Sequence, residues 1–351
     1  MNRNEQDLQR HFMPAPLGGG FAMDDYWVWC GSVIKGEDGQ YHMFASRWKK
    51  TLPFHPGWGV ASEIVRAVSQ TPEGPYTFAE VVLPARGAEY WDGRVTHNPS
   101  ITKCGDEYVL FYVGSTFPYN DVPEDGSLNH YSYQWLAARS NKRIGIATSK
   151  SVFGPWIRRD APAFDVRAGY FDSFLVSNPA PCMHEDGSCL LVYKARAWQK
   201  PPHTSGDMFG DMTLGVAFAE HYTKPFTRLS NEPIFSMENG ILEDPFVWRT
   251  DTGYAMIAKD WKGSYTNEVG AVVYASSENG VHWNVHPKRA FGREVPWNDG
   301  KTRTMGNMDR PFILFDNQRA THLFVATNDG SEAGFATMTR SWNACIPLDE
   351  L

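Results

Sequence analysis

The residues with the plainest capacity for chemistry are Glu243 and Asp244, consecutive acids set before Pro245, whose ring fixes φ and so the direction in which the chain runs on. Similar polar clusters stand at the starts of other apolar runs: Asp24 and Asp25; Asp92, Arg94 and His97; Asp172; and Asp309 with Arg310. A second set lies in the connections between apolar runs, namely Trp48, Trp58 and Glu63, then Arg196 and Trp198 with His203 and Asp207, then Lys259 and Trp261. Paired carboxyl groups can divide acid and base roles across a glycosidic bond. Indole and phenol rings offer flat apolar area with a polar tip, which matches a sugar face, and neighbouring cations can hold two carboxyls at different pKa values. No Gly-rich phosphate loop, paired-histidine metal helix or nucleophile-elbow serine competes with that chemistry.

These residues recur in a fixed grammar: a polar lead-in, a proline, a short apolar run, a turn built from Asp, Asn or Gly, and a second apolar run. Aligned on the proline, the copies fall at Gly31, where the proline is missing, and at Pro99, Pro179, Pro245 and Pro311, in steps of 68, 80, 66 and 66 residues. Third strands are predicted at 64–69, 144–149, 214–219, 271–276 and 334–339, most followed by a Gly or Pro turn and a fourth. Such self-similarity marks a repeat architecture. Five units of four strands predict an all-β chain, a five-bladed β-propeller with four-stranded antiparallel blades around a central channel, its edges kept short by radial repetition. Residues 23–351 are expected to form this one domain. The last blade offers three strands before Trp342, so either residues 1–22 or the tail from Asn343 must supply the outer strand that closes the ring.

Strand alternation brings the lead-ins and the second-to-third connections to one mouth of the channel. The longest connection, residues 115–141, is rich in aromatics, and long loops in compact folds are commonly functional. Each residue also has a plainer use. Asp24, Asp25, Asp92 and Asp172 can cap turns or pair with arginines across blades, Glu63 can bridge to Arg66, His97 can be a satisfied wall histidine, and the tryptophans can pack between blades.

Composition narrows the setting. The chain of 351 residues has 14% aromatics, 31 Gly and 23 Pro, and a net charge of -7, which excludes a polyanionic partner such as nucleic acid. No apolar run approaches the ~18 to 20 residues of a spanning helix, so no membrane partner is expected. Residues 1–20 lack the features of a signal peptide, so the expected location is cytoplasmic. Five widely spaced cysteines argue against a disulfide framework or a zinc site. The acid cluster has the chemistry to hold calcium, but no loop carries the regular oxygen-ligand spacing that predicts it, and no metal or cofactor is expected.

The strand starts Asn98–Pro99–Ser100–Ile101, Ser177–Asn178–Pro179–Ala180–Pro181 and Glu243–Asp244–Pro245–Phe246–Val247–Trp248, with the third-strand run from Arg143 to Trp156, resemble the five-bladed propeller glycosidases of glycoside hydrolase family 43 and relatives, including family 117. The resemblance spans residues 24 to 340 and lies in the repeat more than in the catalytic signatures. It implies an inverting mechanism with an aspartate base from the first blade, a pKa-modulating aspartate from the third and a glutamic acid from the fourth. The fourth-blade Glu-Gly-Pro motif falls on Glu243, Asp244 and Pro245, which makes Glu243 the implied proton donor and Asp244, in place of glycine, an alternative. The first-blade Asp-Pro falls on Cys30 and Gly31, and the third-blade aspartate on Asn178, so the nearest substitutes are Asp24 or Asp25 as base and Asp172 or Asp92 as tuner.

The resulting expectation is an exo-acting glycoside hydrolase for an oligosaccharide or glycoside. Its substrate contacts are expected from Asp92, Arg94, His97, Glu63, Trp58, Arg196, Asp244, Lys259, Asp309 and Arg310. Two alternatives keep the fold: a phosphorylase whose anion site is Lys194, Arg196, Lys259 and Arg310, or a non-catalytic sugar-binding propeller. Mouth carboxylates tied up in ion pairs would be the sign of the latter.

Overall fold

The computed structural model describes residues 6–118, 122–199 and 208–349. Each proline-led copy becomes an antiparallel sheet whose first strand is innermost and whose later strands follow in chain order outward. Blade I is Tyr26–Lys35, Tyr41–Lys49, Glu63–Ser69 and Thr77–Leu83; blade II is Val95–Cys104, Glu107–Ser115, Arg143–Ser149 and Ile157–Arg158. Blade III is Leu175–Met183, Cys189–Arg196, Thr213–Ala219 and Thr227–Arg228; blade IV is Leu242–Thr250, Gly253–Asp260, Val272–Ser277 and Asn284–Phe291. Blade V contributes Asp309–Asp316, Arg319–Asn328 and Ser341–Pro347. The fold is therefore a five-bladed β-propeller.

Second and third strands are buried along nearly all their length because blades pack both faces against neighbours, while the outer strands begin exposed. One hydrophobic cluster fills each junction: Phe44, Ile64 and Leu110 between blades I and II, Ile144, Val176 and Leu191 between II and III, Val192, Leu214 and Met256 between III and IV, Ile257, Val272 and Leu323 between IV and V, and Val28, Met43 and Phe324 between V and I.

The third strand of blade V is not at 334–339. The second strand stays paired as far as Asn328, opposite Ser341, so 329–340 is a connection, its neck held by Asp329 Oδ1 accepting the N–H groups of Thr339 and Arg340 at 2.8 Å each. Ser341–Pro347 wins the position because it buries Ala344, Cys345 and Ile346. The tail from Asn343 is thus part of the third strand. The outer edge of that strand is bridged by the N-terminal segment at Phe12–Leu348 and Phe21–Asn343, the latter with a pair of 2.9 Å backbone hydrogen bonds.

Asp92 and Asp172 do not reach the mouth. They follow Trp91 and Phe171 in a repeated staple, both fully buried. Asp92 accepts from Arg86 Nε at 2.7 Å and Tyr112 Oη at 2.7 Å, with Arg158 at 3.5 Å. Asp172 accepts from Arg228 Nε at 2.5 Å and Tyr193 Oη at 3.0 Å, with Arg167 at 3.4 Å. Each carboxylate thereby ties a fourth-strand arginine to a second-strand tyrosine. The Trp91 indole packs where Gly145 has no side chain; a Cβ there would lie 2.6 Å from it. This corrects the tuner and ligand roles expected of them as the nearest substitutes, since neither carboxylate has an oxygen left for a substrate.

Removing such a partner leaves buried arginines uncompensated. Asp92→Ala and Asp172→Ala should each lower the free energy of unfolding by about 3 to 5 kcal/mol, read from urea denaturation. A variant as stable as the wild type yet inactive would return that aspartate to the site.

Candidate functional site

The residue before the alignment position is left-handed in every blade: Cys30 (φ 58°), Asn98 (52°), Asn178 (46°), Asp244 (54°) and Arg310 (51°). Left-handed backbone is tolerated best by Asn, Asp and Gly, and a residue before proline is normally extended. Cys30 escapes the second constraint because Gly31 follows it; Arg310 escapes neither. Each position falls within a shift of register between the first and second strands. A bulge of this kind re-aims a side chain, here toward the axis.

The five residues stand in a ring around the axis, the first four linked by side-chain hydrogen bonds. Cys30 Sγ–H donates to Asn98 Oδ1 at 2.7 Å, Asn98 Nδ2 to Asn178 Oδ1 at 2.7 Å, and Asn178 Nδ2 to Asp244 Oδ1 at 2.5 Å. The backbone N–H of Arg310 donates to Asp244 Oδ2 at 3.2 Å, and its guanidinium stands 3.8 Å from Oδ1. Beneath this ring Gly31, Pro99, Pro179, Pro245 and Pro311 close the channel around a cavity of about 10 Å³, which admits no more than about one water. The site therefore opens at one end.

One residue earlier come Glu243 and Asp309, and register decides their partners. Ser177 lies opposite Lys194 and Glu243 opposite Lys259 in their own blades. Each lysine reaches forward to the next blade, Lys194 pairing with Glu243 and Lys259 with Asp309 at 2.5 Å. Burial would raise the Glu243 carboxyl, but the Lys194 and Lys259 ammoniums, with Arg196, outweigh it and hold it down to about 2. Its neighbour Asp244 goes the other way, pushed up to about 6 by burial and by the Glu243 charge against the pull of Arg310. The lysine pairing thus favours Glu243 as an anion, against the proton-donor role the motif implied. Asp244 is the carboxyl that can still carry a proton.

Helices Phe54–Ala61 and Tyr133–Ser140 roof the mouth over blades I and II, packed on Leu52, Val95 and Phe117. Below them His97 has Ser62 Oγ at 2.7 Å from Nδ1 and the Cys30 sulfur at 3.9 Å from Nε2, stacked on Trp58 at 4.9 Å between centroids. Burial, then Lys142, Arg310 and Lys194, push the His97 imidazole well down, so it is neutral. Burial likewise raises the Cys30 thiol, which is a donor in the ring rather than a nucleophile. Trp58 donates its indole N–H to His55 Nδ1 at 2.7 Å, and Lys142 Nζ lies 3.6 Å above its ring.

Of the residues expected at the site, Glu243, Asp244, His97, Lys259, Asp309, Arg310 and Arg196 come together. Arg196 donates to Gly210 O at 2.7 Å and adds its charge to the Glu243 environment. Asp24 and Asp25 do not join them: both are exposed before the first strand of blade I. Six residues of lead-in carry them to the rim, too far out for the base role. Arg94 lies over the Phe117 ring at 5.3 Å. Glu63 forms an ion pair with Arg47 at 2.9 Å rather than with Arg66, which pairs with Glu80. Glu63 also lines a cleft of about 430 Å³ at the rim of blade I, beside Tyr26 and Trp48 and away from the axial charges. His203 and Asp207 lie outside the described residues.

Among the described residues no group of three or more His, Cys, Asp or Glu converges as metal ligands. Sequence reasoning missed Cys30, Asn98 and Asn178 as a bonded ring and Lys142 as part of the mouth. The column of polar residues ahead of the prolines was the available signal for the ring; Lys142 had none.

The sequence matches no protein-family model and no curated protein. Solved structures are similar in fold. Zg3597, a family 117 glycoside hydrolase of the marine bacterium Zobellia galactanivorans, is 14% identical over 96% of this chain and 89% of its own, with a TM-score of 0.65. A thermostable family-43 glycoside hydrolase is 13% identical over 97% and 93%, TM-score 0.57. The endo-arabinase of Bacteroides thetaiotaomicron VPI-5482 is 11% identical over 95% and 98%, TM-score 0.58.

Because the folded-state value of Glu243 is depressed, its pairing stabilises the fold above the ordinary value of 4.5 and is lost as pH falls toward about 2. Lys194→Met should cost about 3 kcal/mol near neutral pH, and the gap from wild type should narrow as denaturant unfolding is repeated at about pH 3. A gap independent of pH would mean that Lys194 acts by packing alone.

Proposed function

We propose that the protein is a glycoside hydrolase acting at this mouth, with Asp244 as the proton donor and ionised Glu243 as its partner. The observation that carries the reading is the division of two adjacent buried carboxyls: Lys194 pairs with Glu243 and holds it down, while burial and the Glu243 charge push Asp244 up. Groups pushed apart in this way are how one site keeps an acid and an anion side by side. Below about pH 6 Asp244 can protonate the departing glycosidic oxygen, while Glu243 faces the positive charge that develops on the sugar and can accept a proton from the attacking water. The fold shared with glycoside hydrolases of families 117 and 43 supports the reaction class. A floor closed by the proline ring favours exo-action on a chain end, and inversion is what the family-43 resemblance implies.

One observation favours a second reading, a sugar-binding propeller without catalysis: Glu243 and Asp309 are both engaged by lysines, and the position of the family base is Cys30.

Hydrolysis of nitrophenyl arabinofuranosides, xylosides and galactosides and of the matching oligosaccharides, with and without phosphate, separates these readings. The wild type should hydrolyse without phosphate, with activity falling as pH rises through about 6. Asp244→Asn should lower kcat about 10²- to 10⁴-fold, more on oligosaccharides, whose leaving alkoxide needs the proton. Turnover only with phosphate would mean phosphorolysis, full activity of Asp244→Asn would remove the proposed acid, and binding without turnover would favour the second reading.

A further inference from the structure

We propose that Lys142 is the counter-ion for an anionic substituent, a carboxylate, sulfate or phosphate ester, on the sugar bound at this mouth. Lys142 follows the helix Tyr133–Ser140, and its carbonyl accepts from Val176 N at 3.5 Å, which fixes it over the start of the blade III inner strand. The residue is only 4% exposed. Its ammonium lies 3.6 Å from the Trp58 ring centroid and 5.9 Å from that of Trp135, with no hydrogen bond or ion pair to any described residue.

The groups facing it make this costly. Arg139 from its own helix and Lys194 and Arg196 from blade III are cations, and the acid among the described residues that acts on it, Glu243, is engaged by Lys194. Asp309 is likewise engaged by Lys259. A buried ammonium without an anion costs several kcal/mol, and an indole face returns about 2 kcal/mol when desolvated. Burial and these like charges push the Lys142 ammonium well below its usual range. Groups strained in this way gather where a ligand relieves the strain. An oxyanion on the bound sugar would supply the partner that no described residue gives and screen the repulsion between blades II and III, whereas a neutral sugar would leave both. Trp58, covered by Lys142 and stacked with His97, then serves as a platform for the ammonium rather than for the sugar face.

The inference rests on the carbohydrate reading, and binding tests it apart from turnover. Calorimetry on the full chain would compare glucuronate with glucose and galacturonate with galactose, beside inorganic phosphate and sulfate alone. Each uronate should bind at least about 10-fold tighter than its neutral counterpart, about 1.4 kcal/mol. Lys142→Met should erase that ratio and Lys142→Arg keep part of it. Thermal melting of Lys142→Met should not fall, because an unpaired buried charge has been removed; a marked fall would assign Lys142 to structure and overturn the proposal. Equal binding of charged and neutral sugars, or a ratio that survives Lys142→Met, would overturn it while leaving the glycosidase reading intact. Lys142-dependent binding of phosphate alone would move the anion off the sugar and overturn it in this form. No binding of any sugar would sink both.

Discussion

The structure turns on five residues gathered at the channel axis, four of them linked in a row by side-chain hydrogen bonds and the fifth, Arg310, joined through its backbone. Polar groups at a packed axis must find partners within the protein, and here they find them only in one direction: a thiol donates to an amide, that amide to the next, and the last to Asp244. A chain of donors needs an acceptor at its end, and the carboxyl of Asp244 is that end. Left-handed backbone makes the ring geometrically accessible at some cost, of order 1 to 3 kcal/mol for each such residue. The same backbone turns the following prolines inward to seal the floor.

A step of one residue separates the ring from the charges above it. Within the ring only Asp244 and Arg310 are charged types, so blades I to III close the axis with neutral groups and the ionic chemistry is displaced toward blades IV and V. There the register of the second strands sets each lysine against the acid of the following blade. Glu243 consequently cannot be both well paired and protonated, and in the proposed mechanism the proton-carrying role passes to the residue that the ring holds in a poorly solvated place. The placement of the axial charges is a consequence of a single repeated bulge.

Much of the fold was legible because the proline grammar is local: turns at Asp38–Gly39 or Asp186–Gly187 and apolar runs on either side need no tertiary information. Blade V was misread at its third strand because the run 334–339 looks as suitable as Ser341–Pro347 until burial of Ala344 and Ile346 decides between them. At the site, Glu243, Asp244, Asp309 and Arg310 were legible from their place before prolines. Asp24, Asp25, Asp92 and Asp172 were not, since standing ahead of an inner strand says nothing about whether a lead-in approaches the axis or leaves it. The aromatic–aspartate pairs at 91–92 and 171–172 repeat because they staple blades, and repetition looks alike whether its cause is catalysis or packing. Lys142 carries no periodic mark, because its meaning comes from Trp58 and Lys194, which are distant in sequence.

The most direct test is the titration of the two carboxyls themselves. Carboxyl ¹³C shifts of Glu243 and Asp244, assigned by comparison with Glu243→Gln and Asp244→Asn, should show Asp244 titrating near 6 and Glu243 remaining ionised until the pH approaches about 2. Two carboxyls titrating together near the ordinary value of about 4 would contradict the account, because the ring and the Lys194 pairing would then not be dividing them.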